Sequence, residues 1–447
     1  MGKYFGTDGV RGVANTELTA DLALRLGMAA ATVLQDCPSK TVCIGKDSRL
    51  SGDMLECALA AGFAACGWQV LCLGVLPTPA VSFLTQKLQA GVGAMISASH
   101  NPAEFNGIKL FGADGRKLGD SFEEAIEQGL DGLLPFAPVP ANAIGTVRQA
   151  PHLIAEYEAH VRSFLPDLTG MKLLFDCANG ASSATAEAIF GQSGASVTCI
   201  HNAPDGCNIN QNCGSTHAQL LCEQVREGGF DAAFAFDGDA DRCLCLDSEG
   251  ELLDGDRIVA MLAADYQSRG ALPEHTVVAT CMSNLGLFES LKKLNIRVLE
   301  AQVGDRFVSE MMQAGGYVLG GEQSGHLILG DRAVTGDGQL TAAALLDLLA
   351  RSGKPLAELK TVMTVFPQVL RNVTVPNTAK KQIPSDPQVC ALEQQLCAKE
   401  GIGRILLRPS GTEPKLRILI EGSDGALLEQ AAEALEQAVL QAADRLA

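Results

Sequence analysis

The sequence predicts an α/β protein with more than one domain, and three observations carry the prediction. Short apolar runs alternate with helix-like stretches along the first two-thirds of the chain, as expected for sheets covered by helices on both faces. Several of these runs feed straight into polar loops rich in Gly, Ser and Asp, the usual carriers of function. At 447 residues the chain is also too long for one ordinary core.

In order, Thr41 to Gly45, Gln69 to Leu73 and Val92 to Ile96 read as strands, with helices at Gly52 to Cys66 and Pro79 to Leu88 between them. A second cycle has strands at Lys172 to Asp176, Ser196 to Ile200 and Ala232 to Phe236, and a helix at Ala181 to Gln192. A third has strands at Thr276 to Thr280, Arg297 to Glu300 and Tyr317 to Leu319, with helices at Leu285 to Leu294, Asp305 to Ala314 and Asp337 to Ala350. The Pro-rich and polar stretch Val375 to Pro387 marks a break. After it come strands at Arg404 to Leu407 and Leu416 to Ile420 and a long helix at Asp424 to Ala447, a small α+β unit. These cycles give domains of 1–150, 151–253, 254–366 and 367–447.

The formal net charge is −18, from 34 Lys and Arg against 52 Asp and Glu, which excludes nucleic acid and anionic membranes as partners. An anionic small molecule remains compatible, because screening over about 8 Å leaves binding to local cations. Apolar residues make up 47%, yet no run is long enough to span a membrane and the start lacks a charged-then-apolar leader, so the expected location is cytoplasmic. The 15 cysteines are odd in number, and Cys43, Cys72, Cys199 and Cys245 lie within apolar strands; buried free thiols are expected.

Four loops carry chemistry. Ser97-Ala98-Ser99-His100-Asn101-Pro102 follows the strand Val92 to Ile96, so the Ser99 hydroxyl is displayed on a turn whose N–H groups suit a phosphoryl group. Asp237-Gly238-Asp239-Ala240-Asp241-Arg242 sets three carboxylates at alternate positions, a loop for a hard divalent cation, Mg²⁺ before others. It lacks the later Gly and Glu of a calcium-binding EF-hand loop. Arg408-Pro409-Ser410-Gly411-Thr412-Glu413-Pro414, with Arg417 beyond it, forms an anion nest. Gly320-Gly321-Glu322-Gln323-Ser324-Gly325-His326, after the strand Tyr317 to Leu319, mixes a carboxylate, an amide, a hydroxyl and an imidazole, which suits a polyhydroxylated ligand and proton transfer.

With these loops in this order, the chain resembles the alpha-D-phosphohexomutase superfamily over nearly its whole length. Tyr4-Phe5-Gly6-Thr7-Asp8-Gly9-Val10-Arg11-Gly12 is similar to the N-terminal signature of that family, and Gly45-Lys46-Asp47-Ser48-Arg49 to its next loop. Pro204 to Asn210 and Cys213 to His217 resemble the branch that acts on glucosamine phosphates. Ala240 departs from the Gly found in many members and would add about 1 kcal/mol of strain at positive φ. The resemblance implies three related α/β domains with mixed sheets and a smaller C-terminal α+β domain around a central cleft.

It further implies reversible isomerisation of glucosamine 6-phosphate and glucosamine 1-phosphate, a step toward UDP-N-acetylglucosamine and the cell wall. The implied route runs through phosphoserine at Ser99 and a glucosamine 1,6-bisphosphate intermediate that also serves as activator. One Mg²⁺ per chain would be held by Ser99, Asp237, Asp239 and Asp241. His326 and Lys109 are the proton-accepting candidates, His100 supports the serine loop, and Arg11 and Arg242 stabilise the transferring phosphoryl. Glu322 and Ser324 orient sugar hydroxyls, while Arg306, Arg408, Ser410, Gly411, Thr412 and Arg417 bind substrate phosphate. A phosphomannomutase or phosphoglucomutase would use the same residues, and a metal-dependent sugar phosphatase or a noncatalytic sugar-phosphate sensor are the readings from other classes. The partner is a small hexosamine phosphate; a homodimer is left open.

Overall fold

The computed structural model describes residues 2–6, 8–136, 138–410 and 413–446. They form two compact units, one of Met1–Met282 with Ile296–Thr361 and one of Ser283–Asn295 with Val362–Ala447.

The first unit holds three sheets. A seven-stranded sheet runs in the order Phe5–Gly6, Gly9–Val13, Phe105–Gly112, Val92–Ile96, Thr41–Lys46, Gln69–Val75, Val147–Gln149. Its last four strands are parallel and the others antiparallel. The helices Ala20–Val33 and Gly52–Ala65 pack closely because two glycines meet: a Cβ on Gly62 would stand 2.2 Å from the Leu24 carbonyl oxygen, and one on Gly27 2.5 Å from that of Leu59. Trp68, fully buried, lies edge-on to Phe63 at 5.6 Å.

The second sheet runs Leu252–Leu253, Cys243–Asp247, Ala232–Phe236, Lys172–Asp176, Ser196–Ile200. Phe175 stacks on Phe190 at 4.2 Å and on Phe234 at 5.3 Å, anchoring this core. The third runs Arg297–Ala301, Thr276–Thr280, Leu319–Gly321, Leu327–Leu329. All three sheets are mixed, each a parallel core with an antiparallel margin.

Two expected elements differ. The helix at 181–192 is a 3₁₀ turn, Ala181–Ala184, followed by Ala186–Phe190, because Thr185 takes a non-helical φ of −127°. The strand expected at Tyr317 to Leu319 lies at Leu319–Gly321, so Gly320 and Gly321 belong to the sheet and not the loop.

The second unit is α+β. Its antiparallel sheet runs Gln368–Thr374, Lys415–Gly422, Ile402–Pro409, and the helices Pro387–Cys397 and Gly425–Leu446 cover it. The helix Leu285–Lys293 belongs to this unit: its first N–H, on Leu285, donates to buried Glu421 at 2.9 Å.

Candidate active site

Ser99 sits on the connection between two antiparallel strands, Val92–Ile96 and Phe105–Gly112. Its φ of 50° is left-handed, a conformation that costs a non-glycine residue about 1–3 kcal/mol and persists only when its surroundings enforce it. They do so here through four groups. Ser99 N–H donates to Ser97 Oγ at 2.9 Å, and Ser97 Oγ donates to Asp47 at 2.6 Å. The fully buried Arg49 pairs with Asp47 at 2.9 Å and donates to the carbonyls of Ser99 at 3.0 Å, Asn101 at 2.8 Å, Phe105 at 3.0 Å and Pro102. Asn210 donates to the Ser99 carbonyl at 2.8 Å from the loop after Ser196–Ile200.

The turn presents Ser99 Oγ to Asp237 Oδ2 at 2.6 Å, with His100 Nδ1 at 3.4 Å. Burial, then Arg242 and Arg11, push the His100 imidazole down to about 4, so it is neutral at neutral pH. Phe236 and Cys243 are register partners, which makes 237–242 a six-residue hairpin loop. Gly238 has to be glycine: a Cβ there would lie 2.5 Å from the Ser99 carbonyl oxygen and 2.8 Å from Asn210 Nδ2. Ala240 has φ 56°, so the expected strain is present.

Asp237, Asp239 and Asp241 are buried and bring one oxygen each within 4.8 Å of the others. Asp239 Oδ1 and Asp241 Oδ1 have no hydrogen-bond partner. Burial, then Asp241 and Asp239, push the Asp237 carboxyl well above its usual range. Unpartnered hard oxygens in so crowded and buried a set fit a Mg²⁺-class cation, which would neutralise the repulsion.

Lys109, on the strand Phe105–Gly112 and 1% exposed, reaches Asp239 at 2.8 Å, Asp8 at 3.3 Å and Asp241 at 3.7 Å. Asp8 also pairs with Lys117, and Lys117 with Asp305. His326 faces Asp305 at 3.9 Å through Nε2 and Asp241 at 3.6 Å through Nδ1. Burial opposes charge on Lys109, but Asp239, Asp8 and Asp241 outweigh it and hold the ammonium above the usual lysine range. For His326 burial is likewise outweighed, by Asp241 and Asp305, and its pKa rises to about 9. In this ionic setting both are proton donors.

Arg11 pairs with Asp8, and Arg242 stands 4.0 Å from Asp237 and 3.9 Å from Asp241; the Nε of each arginine is buried without a hydrogen-bond partner. Glu322 to His326 connects two antiparallel strands, and the Cys243 N–H donates to the Gly325 carbonyl at 3.0 Å, fastening this loop to the aspartate hairpin. Glu322 accepts from Gly304 N–H at 2.8 Å, and Ser324 Oγ lies 3.5 Å from Glu322. Arg306 is engaged by Asp120 and by Glu310 at 2.9 Å, on the wall of a cavity of about 310 Å³ that Glu123 and Glu127 also line. A cavity of about 210 Å³ lined by Lys117, Asp305 and Arg306 leads to His326.

In the second unit, Arg408 and Arg417 are register partners on Ile402–Pro409 and Lys415–Gly422, and Arg408 Nη1 and Arg417 Nε are buried without partners. Ser410 Oγ accepts from Glu413 N–H at 3.1 Å, and Lys380 Nζ donates to the Glu413 carbonyl at 3.1 Å. Two aligned guanidinium groups with unspent donors suit an anion. Gly411 and Thr412 lie outside the described residues.

Sequence reasoning assigned no role to Asp8, Asp47, Arg49 or Asn210, although each lies in a quoted motif. Lys117 and Asp305 carried no local signal; only the fold brings them to His326 and Lys109.

A serine displayed beside a buried carboxylate hairpin that fits a cation, on an α/β scaffold of three mixed sheets, defines a phosphoryl-transfer protein. The chain belongs to the phosphoglucomutase/phosphomannomutase family, whose alpha/beta/alpha domains I, II and III match residues 2–133, 155–250 and 254–366 and whose C-terminal domain matches 352–438. It is 46% identical over 443 residues to the phosphoglucosamine mutase of Clostridium novyi, covering 98% of this chain and 99% of that one. It is 48% identical over 445 residues to that of Rhodococcus erythropolis, covering 98% and 99%. The fold is similar to that of a phosphoglucomutase/phosphomannomutase family protein from Burkholderia thailandensis, with a TM-score of 0.81 at 23% identity over 98% of this chain and 97% of that one. It is also similar to Aspergillus fumigatus N-acetylphosphoglucosamine mutase solved with GlcNAc-6P and magnesium, with a TM-score of 0.64 at 17% identity over 98% and 96%. Among the described residues no helix is long and apolar enough to cross a membrane.

Proposed function

We propose that this protein is a phosphoglucosamine mutase, interconverting glucosamine 6-phosphate and glucosamine 1-phosphate in the cytoplasm. The observation that carries the reading is the 46% and 48% identity to phosphoglucosamine mutases over 98% of the chain. In the active form Ser99 Oγ bears a phosphoryl group and gives it to the free hydroxyl of the substrate, which then holds two phosphates. The bisphosphate turns round and returns the other phosphoryl group to Ser99.

Such transfer depends on positioning and charge neutralisation more than on covalent chemistry. Asp237, Asp239, Asp241 and the Ser99 oxygens would hold Mg²⁺, which when bound withdraws negative charge from the transferring group. Arg11 and Arg242 supply the remaining positive charge from within the pocket, and Lys109 holds Asp239 in place. Glu322 and Ser324 take sugar hydroxyls, and Arg408, Ser410 and Arg417 take the phosphate that is not reacting. Of the two candidates His326 is the nearer to releasing its proton, and a cation on Asp241 would weaken the carboxylate that keeps it protonated, so it becomes the acceptor once that proton has left; its Nε2 has no hydrogen-bond partner.

The test is turnover of glucosamine, glucose and mannose 6-phosphates with and without a 1,6-bisphosphate, beside intact mass of wild type and Ser99→Ala. The expected result is highest kcat/KM on the amino sugar, one phosphoryl group on wild type and none on a folded, inactive Ser99→Ala. A tenfold preference for a neutral sugar would overturn the substrate, and release of free phosphate without isomerisation would overturn the mutase.

A further inference from the structure

A second cluster of metal-ligating side chains lies in the first unit, apart from the aspartate hairpin. Asp176 ends the strand Lys172–Asp176, His201 follows the neighbouring parallel strand Ser196–Ile200, and Cys213 closes the loop that leaves it. A carboxylate oxygen, an imidazole nitrogen and the Cys213 sulfur all lie within 4.8 Å of one another. Asp176 and Cys213 are each 1% exposed, whereas the His201 side chain is 39% exposed and opens the cluster to solvent.

Asp176 accepts from Ala178 N–H at 2.9 Å and from Gly214 N–H at 2.8 Å, and His201 Nδ1 lies 3.0 Å from its Oδ1. No lysine or arginine pairs with it among the described residues, although buried carboxylates are ordinarily paired with a cation or bound to a metal. His201 is held at φ 44°, a left-handed backbone conformation, with its ring nitrogen beside Asp176.

We propose that Asp176, His201 and Cys213 form a second metal site, for one borderline-soft divalent ion of the Zn²⁺ class. The donor set decides the ion: thiolate and imidazole select Zn²⁺ or Co²⁺ over Mg²⁺, while the three aspartates offer only hard oxygen. Ligand atoms around a tetrahedral ion of this class stand roughly 3.5 Å apart, so a movement on the order of 1 Å closes the three onto it. The Cys213 thiol proton leaves to solvent as the thiolate binds. Solvent can fill the fourth position from the His201 side.

The site bears on the serine loop through one residue. His201 and Cys213 bracket the segment that carries Asn210, whose amide holds the Ser99 and Asn101 carbonyls at 2.8 and 3.1 Å. An ion at the two ends of that segment fixes Asn210 without touching the phosphoryl group.

The test uses Co²⁺ as the probe on the full chain with saturating Mg²⁺, reading thiolate-to-cobalt charge-transfer absorption. The expected result is one Co²⁺ per chain with that absorption, displaced by Zn²⁺ and absent in Cys213→Ser. His201→Gln, at a side chain open to solvent, should weaken Co²⁺ at least about tenfold, since losing a direct ligand costs no less than losing a supporting one. Cys207→Ser, which removes an exposed thiol on the same segment, and Asp239→Asn in the other cluster should leave the absorption unchanged. Absence of the absorption, its survival in Cys213→Ser, its loss in Cys207→Ser or Asp239→Asn, or unchanged affinity in His201→Gln would each overturn the site.

Discussion

The guanidinium of Arg49 donates to the main-chain carbonyl of Ser99 at 3.0 Å, so this residue is held by its backbone while its hydroxyl is turned to Asp237 at 2.6 Å. Arg49→Lys keeps a cation beside Asp47 but loses the planar fork that spans four carbonyls. The expected outcome in steady-state kinetics is a fall in kcat of about 100-fold, the cost of a small misplacement of the nucleophile, with a much smaller change in KM. Arg49→Ala also leaves Asp47 buried and uncompensated, and should lower stability in urea by about 3–5 kcal/mol.

Asp239 divides its oxygens: Oδ2 takes Thr78 Oγ1 at 2.6 Å and Lys109 Nζ at 2.8 Å, and Oδ1 is left without a hydrogen-bond partner. Asp239→Asn removes a hard ligand and turns an amide toward an ammonium. Titration of activity with Mg²⁺ should show half-saturation raised about tenfold or more. An unchanged metal dependence would place the cation elsewhere.

Gly336 lies against the face of His326, where a Cβ would stand 2.3 Å from Nε2 and 2.4 Å from Cε1. Gly336→Ala therefore pushes the imidazole out of place while replacing no ionisable side chain. Turnover should fall by about 100 to 10,000-fold, the usual worth of positioned proton transfer, while Mg²⁺ affinity stays at the wild-type value. Full activity in this variant would remove His326 from proton transfer.

The two histidines titrate in opposite directions, so their joint contribution to the stability of the metal-free protein is greatest near pH 6.5. His326 has a folded pKa of about 9 against an ordinary 6.5, so its contribution is complete below 6.5 and is lost as pH rises to about 9. That loss is on the order of 3 kcal/mol. His100 has a folded pKa of about 4, so folding keeps it neutral, and stability falls as pH drops from 6.5 to about 4. Urea midpoints across pH should show both slopes; His326→Gln should flatten the alkaline one and His100→Gln the acidic one.

The serine and aspartate loops were legible because each begins where a fully apolar strand stops: Val92–Ile96 and Ala232–Phe236 fall where the residue pattern put them. The strand Phe105–Gly112 was not legible. Asn106, Gly107 and Lys109 interrupt its apolar pattern, and all three are buried for the sake of the site. The helix Gly255–Ser268 escaped notice although Asp254 caps it, since its buried face includes Gly255 and Asp256 along with the apolar residues. Within their own loops Lys109 and His326 show only a side chain able to take a proton. Their carboxylate partners come from distant stretches, Asp8, Asp241 and Asp305, and this tertiary electrostatics holds both protonated.

Lys109, Asp8, Lys117, Asp305, His326 and Asp241 close on themselves as a six-membered ring of alternating sign. With His326 protonated its three positive and three negative members cancel. Every member has a neighbour of opposite sign on each side, so each charge is offset locally on both flanks. To a ligand that meets the same wall twice, once with each of its ends, such a ring presents a dense array of paired charges with no net charge of its own.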